Sequence, residues 1–503
     1  MNISINKHFH LPRLSIISLV TLLSFQVSAQ NTWTGTASGF WFDAANWSGG
    51  IPSTTDDMAI PITTNAPIIM NGTAMAKSLT VNDGASLTIN GPATLIIDDF
   101  TLKLRTEYGS ISTLTVVTQG IFAIWWDPAF DHAADAHILF QRLSDMREDC
   151  LNNLNMQDPP NPAAGYFYNI YIHHGANDQF PAGWGNGQGT DMFAQPFLTL
   201  PTDIVLDFTN TLHEGFHVFQ YSSNSPGFAY AGDSQWYTES AAQWYASIKN
   251  PTDDYLFRES AAKAQNPQLA LWHSFSNSAP GDPIDWLYEV QQYGLQSYFF
   301  FLSNTKGVNP STFAEGFYNN TTISPQEFLY HEIGGTLLRG YFTDWAAHNT
   351  GGFDYLTPIQ VAISLNEIVP FANANPQYLH PFALELTDQG TNSTFSPQVG
   401  FKPRGWGYNV IKINNSQAAT YTFNLNGDSN GSEGAVSHFE ARLVIKSSNE
   451  NAYDSVTMTN ATDGSITKTL TVNDTELYLV IAAVPEHWSS NQTYSYSLDI
   501  TKQ

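Results

Sequence analysis

The stretch NTLHEGFHVF, residues 210–219, places two histidines and a glutamate inside an otherwise apolar run. On a helix, His213 and His217 lie one turn apart on one face, with about 5–6 Å between their Cβ atoms. Two neutral imidazoles at that separation can chelate one zinc ion, and Glu214 lies beside them, where it can hold and deprotonate a water molecule. The alternative is a pair of core histidines, but buried imidazoles rarely find enough hydrogen-bond partners. The stretch therefore predicts a buried helix that carries a metal centre. Thr202 or Asp203 can cap this helix, and Ser225-Pro226 is expected to end it.

A catalytic zinc site needs a third protein ligand and one open position. A third histidine six residues after His217 is excluded, because Ser223 occupies that position. The segment DSQWYTESAAQWYASIKN, residues 233–250, predicts a second helix with Glu239 among aromatic residues. A lone carboxylate in such surroundings is costly unless it meets a cation, although a solvated helix glutamate is the alternative. Glu239 is therefore the candidate third ligand.

Residues 200–250 resemble the active-site core of the gluzincin zinc metallopeptidases, the thermolysin-like group. This resemblance implies that His213, His217 and Glu239 bind zinc and that Glu214 is the general base. The chain departs from the pattern at Gln243, where these enzymes usually carry an aspartate that orients a histidine. Glutamine can accept a hydrogen bond but brings no charge, so a weaker or different supporting contact is expected.

The same resemblance implies a tyrosine or histidine, from a later helix, that stabilises the oxyanion of the reaction. The sequence offers Tyr288, Tyr293 and His331, and we favour Tyr293. The alternative is that Tyr293 is an ordinary core residue, which is the commoner role of an aromatic on a buried helix.

The region around residues 173–201 raises two further predictions. Asp178, Asn186 and Asp191 lie in a glycine-rich segment and could bind Ca²⁺, although a solvated loop is the alternative. Residues 192–201 contain Pro196 and predict an edge strand just before the first metal-binding helix. In gluzincins the strand at this place pairs with the substrate backbone.

The chain divides into four predicted regions. Residues 1–29 have the basic start, short apolar stretch and small residues of a secretory signal, which predicts cleavage after Ala29. We predict a multidomain protein in which a central α+β zincin-like domain, sheet first and helical subdomain after, spans residues 118–390. Within this domain, residues 120–126 and 165–175 predict strands, and the segment between them predicts a helix because its apolar residues recur at helical spacing. An N-terminal all-β module, solenoid-like or sandwich-like, precedes it at 30–117, and a C-terminal β-sandwich follows it at 391–503. All site candidates lie in 118–390, so the flanking modules are expected to be dispensable for chemistry.

Composition limits the partners of the chain. It has 45 acidic and 19 basic residues, a net charge of −26, which disfavours binding to nucleic acid or anionic lipid. No segment after the signal has 18 consecutive apolar residues, so no membrane span is expected. Cys150 is the only cysteine, which excludes an intramolecular disulfide. The oligomeric state is left open.

Together these features predict a secreted or cell-surface zinc metallopeptidase that acts on proteins, peptides or glycoproteins. The alternative is an adhesion or glycan-binding protein with a catalytically inactive zincin-like domain. The aromatic-rich flanking modules support that alternative. The intact set of His213, Glu214, His217 and Glu239 argues against it, because an inactive relative can most easily lose the general base.

Overall fold

The computed structural model combines α-helices and β-sheets, in agreement with the predicted mixed α and β content. The residues that it describes are 30–82, 84–90, 93–97, 100–103, 113–161, 163–174, 187–190, 195–202, 205–220, 223, 234–273, 291–318, 322–374, 384–387, 393–414, 416–448, 450–486 and 492–503. The predicted signal at residues 1–29 and the predicted calcium ligands Asp178, Asn186 and Asp191 lie outside these residues.

The N-terminal strands stack as the turns of a β-solenoid. Three parallel pairs, β2 with β5, β3 with β6 and β4 with β7, each join strands about 20 residues apart in sequence. In the core of the solenoid, Trp47 packs edge-on against Trp33 and Trp41. Its indole nitrogen donates a hydrogen bond to the Trp41 carbonyl oxygen at 2.8 Å. The strands are Asn31–Thr32 (β1), Asp57–Ile60 (β2), Ile68–Ile69 (β3), Thr73–Ala76 (β4), Ser78–Val81 (β5), Leu87–Asn90 (β6), Thr94–Ile97 (β7) and Phe100–Lys103 (β8).

One face of the solenoid continues into a seven-stranded sheet with the order β12-β13-β11-β10-β9-β6-β3. The predicted boundary between residues 117 and 118 therefore falls inside a strand of this sheet, β9. Buried Trp125 and Tyr171 pack into the same core as the solenoid tryptophans. The remaining strands of the sheet are Thr113–Gln119 (β9), Phe122–Trp126 (β10), Tyr168–His173 (β11), Gly187–Thr190 (β12) and Pro196–Pro201 (β13).

The predicted edge strand is not at the edge of this sheet. Strand β13 lies between β11, to which it is parallel, and β12, to which it is antiparallel. Within the described residues β12 is the outermost strand. Glycine-rich residues 187–190 were expected to form a loop because their sequence lacks the alternating apolar pattern of a strand.

One helix, Ala133–Asn152, connects β10 to β11, and the other helices follow the sheet in sequence. Together they cover the face of the sheet opposite the solenoid core. Their buried side chains share one apolar core with β10 and β11. The helices are Ala133–Asn152 (α1), Phe208–Gln220 (α2), Gln235–Lys249 (α3), Ala262–Gln265 (α4), Gln296–Phe300 (α5), Pro310–Glu315 (α6), Pro325–Ile333 (α7), Gly335–Thr350 (α8) and Pro358–Ala374 (α9). Short 3₁₀ turns occur at Ala44–Asn46, Asp254–Phe257 and Val399–Phe401, and Phe301–Thr305 forms a π-helical turn.

The C-terminal region is built from two five-stranded sheets, with orders β14-β16-β22-β18-β19 and β15-β23-β17-β21-β20. Helix α8 packs on the outer face of the first sheet, where Arg442 Nε donates to Asp344 Oδ1 at 2.6 Å. The strands are Leu384–Thr387 (β14), Ser393–Phe395 (β15), Gly407–Asn414 (β16), Thr420–Gly427 (β17), Phe439–Ser447 (β18), Asn451–Ser455 (β19), Thr457–Met458 (β20), Asp463–Thr469 (β21), Asp474–Ala483 (β22) and Tyr496–Lys502 (β23). Strand β14 begins before the predicted boundary at 391.

Among the described helices, none is both long enough and apolar enough to cross a membrane.

Candidate metal centre

Helix α2 begins later than the sequence suggested. A start at Thr202 or Asp203 was predicted, but Phe208 is the first helical residue and Asp207 caps the helix by accepting from the Asn210 amide at 3.0 Å. The predicted end at Ser225-Pro226 lies outside the described residues. Gly215 lets α1 approach closely, because a Cβ atom there would clash with the Met146 side chain. The helix is thereby held between α1 and α3.

Helix α3 begins after Ser234 and ends before Asn250, as the sequence predicted. Its face toward α2 is buried, and the rings of Phe216 and Tyr245 stack with centroids 4.8 Å apart. Gln220 Nε2, at the end of α2, donates to the Thr238 carbonyl oxygen at 3.1 Å. This contact fixes the register in which Glu239, the next residue on α3, faces α2.

The three predicted ligands meet between these helices. His213 Nε2 and His217 Nε2 lie 3.1 Å apart, and each is 3.3 Å from Glu239 Oε2. In a tetrahedral zinc site with bonds of about 2.0–2.1 Å, ligand atoms lie roughly 3.3–3.4 Å from one another. The nearly equilateral triangle therefore fits a zinc ion with little rearrangement. In the described part of the chain this is the only group of three or more candidate ligands.

The electrostatics of the triangle also suit a cation. Burial alone would lower the pKa of His217, but the Glu239 carboxylate outweighs it and raises the pKa to about 9. Burial likewise opposes ionisation of Glu239, yet the two imidazoles hold its pKa well below the usual range. Glu239 is 1% exposed, so its charge is retained in the interior only because cationic groups face it.

A supporting contact that the sequence analysis missed orients one ligand. His217 Nδ1 donates to Gln220 Oε1 at 2.6 Å, which leaves the Nε2 lone pair directed at the triangle. The i,i+3 spacing of His217 and Gln220 was a usable signal, since such residues are neighbours on a helix. Gln243, the position where the family pattern has aspartate, instead donates to the Leu256 carbonyl oxygen at 3.3 Å.

A cleft of about 520 Å³ opens onto the centre from the His213 side. Glu214 and Tyr293 both line it, and the Tyr293 and His213 rings lie 5.9 Å apart between centroids. The segment that carries Tyr293 is anchored to α3, because the Ser240 hydroxyl donates to the Gln292 carbonyl oxygen. Of the other oxyanion candidates, Tyr288 lies outside the described residues, and His331 is an exposed residue of α7.

Comparisons with known proteins do not assign the chain to a family. The model of a domain of unknown function, DUF8693, matches residues 32–110, a range that includes strands β2 to β8. A comparison with curated proteins gives no match.

The solved structures that are similar over part of the chain include the following two. Native leukotriene A4 hydrolase from Saccharomyces cerevisiae is 12% identical with a TM-score of 0.30, over 59% of this chain and 56% of that one. The surface-associated copper-binding protein CorA of Methylomicrobium album BG8 is 8% identical with a TM-score of 0.18, over 24% of this chain and 98% of that one. The chain thus spans little more than half the length of the yeast enzyme, and neither score establishes a common fold.

Proposed function

We propose that the chain is a zinc metallopeptidase in which His213, His217 and Glu239 hold the metal. The observation that carries the proposal is the triangle of two imidazole nitrogens and one carboxylate oxygen, 3.1–3.3 Å apart, at the wall of an open cleft. Two histidines, one carboxylate and an accessible fourth position are the features of catalytic rather than structural zinc sites.

A bound zinc ion would supply Lewis acidity, which polarises a peptide carbonyl and lowers the pKa of a water molecule toward about 7. Glu214 lines the cleft directly beside His213, so it is positioned to accept the proton of the attacking water and deliver it to the leaving amine. Tyr293 lines the same cleft, and its hydroxyl can donate a hydrogen bond to the negative oxygen that develops on the former carbonyl.

Strand β12 offers a place for the substrate backbone. It is the outermost described strand of the sheet and lies next to α2, which carries His213 and Glu214. An extended peptide can add to such an edge through main-chain hydrogen bonds. The role that the gluzincin resemblance implied for residues 192–201 is therefore assigned to β12.

We further propose that the protein is exported, because residues 1–29 have the pattern of a secretory signal. The substrates proposed are proteins, peptides or glycoproteins outside the cell. The solenoid and the C-terminal sandwich are proposed to anchor or position the enzyme rather than to take part in chemistry.

The test is metal analysis of the purified full chain followed by digestion of casein and of a broad peptide library, before and after chelation. We expect one zinc per chain, cleavage that the chelator abolishes, and recovery when zinc is restored. Chain that binds zinc but cleaves nothing would instead support the adhesion or glycan-binding alternative. Chain that binds no zinc would overturn the assignment of the three ligands.

A further inference from the structure

The cleft beside the metal centre has an acidic wall. Five described carboxylate side chains line it, against one arginine, Arg258. The carboxylates are those of Asp207, Glu214, Asp253, Glu259 and Glu367. A cleft with such a lining attracts cations and repels anions, most strongly where low-dielectric walls limit screening by water.

Two of these carboxylates have structural roles. Asp207 caps α2, and Asp253 accepts from the Tyr255 amide at 3.2 Å and from the Thr209 hydroxyl at 2.6 Å. Glu214 is the proposed general base. Glu259 and Glu367 remain, and neither is needed to cap a helix or to hold the metal.

Glu259 is the more unusual of the two because it is 5% exposed and incompletely paired. Its Oε1 atom accepts from Arg258 Nε at 2.5 Å, whereas its buried Oε2 atom has no hydrogen-bond partner among the described residues. Burial raises the pKa of Glu259 to about 7, and the charge of Glu367 adds to this effect while Arg258 opposes it. A buried carboxylate oxygen without a partner is costly, so its retention requires a reason.

The fold places Glu259 next to the proposed oxyanion residue. Gly294 approaches the backbone of Glu259 so closely that a Cβ atom at residue 294 would clash with the Glu259 carbonyl oxygen. Tyr293, the preceding residue, faces His213. Glu259 therefore lines the same cleft as His213 and Tyr293, and its backbone is packed against the residue that follows Tyr293.

Glu367 supplies a second charge from another element. It lies on α9, which packs against the 3₁₀ turn Asp254–Phe257, and its side chain is exposed. Arg258 is only a partial counterion for this pair of glutamates, because it brings one positive charge against two negative charges. An additional cation between Glu259 and Glu367 would complete the pairing.

We propose that Glu259 and Glu367 bind a cationic group of the substrate, so that the enzyme prefers peptides with an ammonium or guanidinium group next to the scissile bond. The inference rests on the proposed peptidase function. Two sources have this chemistry: a lysine or arginine side chain, and a free amino terminus. A charge-assisted hydrogen bond to a buried carboxylate supports a preference of about 10- to 100-fold over a neutral group of similar size.

The experiment compares kcat/KM of the zinc-loaded full chain on matched peptides that carry lysine, glutamine or glutamate beside the scissile bond. Each peptide is made with a free and with an acetylated amino terminus, so that the two sources of the cation are separated. We expect the lysine peptide or the free amino terminus to be favoured about 10- to 100-fold, and the glutamate peptide to be cleaved worst.

Glu259→Gln and Glu367→Gln should each reduce the cation-to-neutral ratio of kcat/KM by about tenfold, whereas Glu332→Gln on the exposed face of α7 should leave it unchanged. If Glu259→Gln failed to fold, the exposed Glu367→Gln would carry the same test. Equal cleavage of all three peptides, or a preference that survives both variants, would overturn the inference while leaving the peptidase proposal intact. Absence of any cleavage by the zinc-loaded chain would overturn both.

Discussion

Among the residues that the structure describes, two pairs of histidines face each other, and one of these pairs belongs to a candidate metal site. His213 Nε2 and His217 Nε2 are 3.1 Å apart, and His132 Nε2 and His174 Nε2 are 2.8 Å apart. In both pairs, one histidine also forms a hydrogen bond through its second ring nitrogen, Nδ1, to a neighbouring side chain. Gln220 does so for His217 at 2.6 Å, and Asp135 does so for His132 at 2.7 Å.

The difference lies in the third group. Glu239 lies 3.3 Å from both members of the first pair, whereas among the described residues the second pair is not part of any group of three candidate ligands. A separation of 2.8 Å is that of a hydrogen bond between two neutral imidazoles, one donating and one accepting. Two facing histidines with a supporting hydrogen bond are therefore not enough to make a candidate zinc site. A third ligand is also needed, and the first pair has one in the buried carboxylate of Glu239 on a second helix.

The largest expected effect is the loss of zinc in His217→Ala. Two remaining ligands bind too weakly to retain the ion, so zinc should fall from one per chain to about none and peptidase activity should disappear with it. The matched control is His174→Ala, which removes one member of the other pair. This variant should keep both its zinc and its peptidase activity. Metal analysis after gel filtration measures this, and the comparison breaks if His174→Ala also loses its zinc.

The next effect is that of Glu214→Gln. Glutamine keeps the size of the side chain but cannot accept a proton, and residue 214 is not one of the three ligands. We expect kcat to fall by about 10²–10⁴-fold while zinc content and the thermal unfolding temperature stay unchanged. Steady-state kinetics on a peptide substrate provides the measurement. Full activity in this variant would assign the base to another residue.

A smaller effect is expected at the supporting contacts of the two pairs. Gln220→Ala removes the acceptor that orients His217 and should weaken zinc binding by about 10–100-fold. Asp135→Asn changes the equivalent contact of His132 and should leave zinc affinity unchanged, because that pair is not part of the proposed zinc site. Competition titration with a chromophoric chelator gives both affinities. Equal losses in the two variants would mean that the supporting contacts act only through general stability.

The sequence predicted the part of the site that lies within single helices. His213 and His217 share a face of α2 because of their four-residue spacing, and Glu239 stood out because an acidic residue among aromatics needs a cation. Gln220 was missed as a partner of His217 although it obeys the same helical spacing. Glu259 was missed because its burial depends on the close approach of Gly294, a contact between segments 35 residues apart that no local pattern records.

Helices and strands were predictable from the sequence where the apolar residues recur with a clear period. The pairing of strands from different regions of the chain was not predictable. The sequence correctly predicted strands at β10 and β11 and the helix α1. It could not show that β9 joins β6 to β10, because antiparallel pairing between a solenoid face and a second sheet leaves no periodic signal. Removal of residues 30–117 would take away β6 and most of β9, and would expose Trp125. The expectation that this module is dispensable must therefore be tested against loss of the sheet itself.

The same comparison of neighbouring groups applies to two buried carboxylates, Glu239 of the metal centre and Glu259 of the cleft. Glu239 and Glu259 are 1% and 5% exposed, yet the pKa of Glu239 is held below its usual range and that of Glu259 is raised to about 7. Burial raises the pKa of both. Two imidazoles outweigh it at Glu239, whereas a single arginine does not outweigh it at Glu259.

The smallest expected effect follows from this contrast and concerns stability in Glu259→Gln. Between the ordinary carboxyl pKa of 4.5 and the folded value of about 7, the unfolded chain releases the Glu259 proton while the folded chain keeps it. Stability is therefore lost as pH rises through this window, by on the order of 3 kcal/mol above pH 7, and no such loss exists below the unfolded value.

Glutamine has no proton to release, so the variant should unfold at a temperature higher than the parent chain by a few degrees at pH 8 and by less at pH 5. Thermal unfolding of zinc-loaded protein at the two pH values measures the difference, and Glu450→Gln at an exposed position is the control for a change in net charge. An equal shift at both pH values would mean that Glu259 is already paired in the folded chain. A shift confined to the higher pH would mean that the cleft keeps this carboxylate at a cost in stability, as expected of a group whose partner arrives with the substrate.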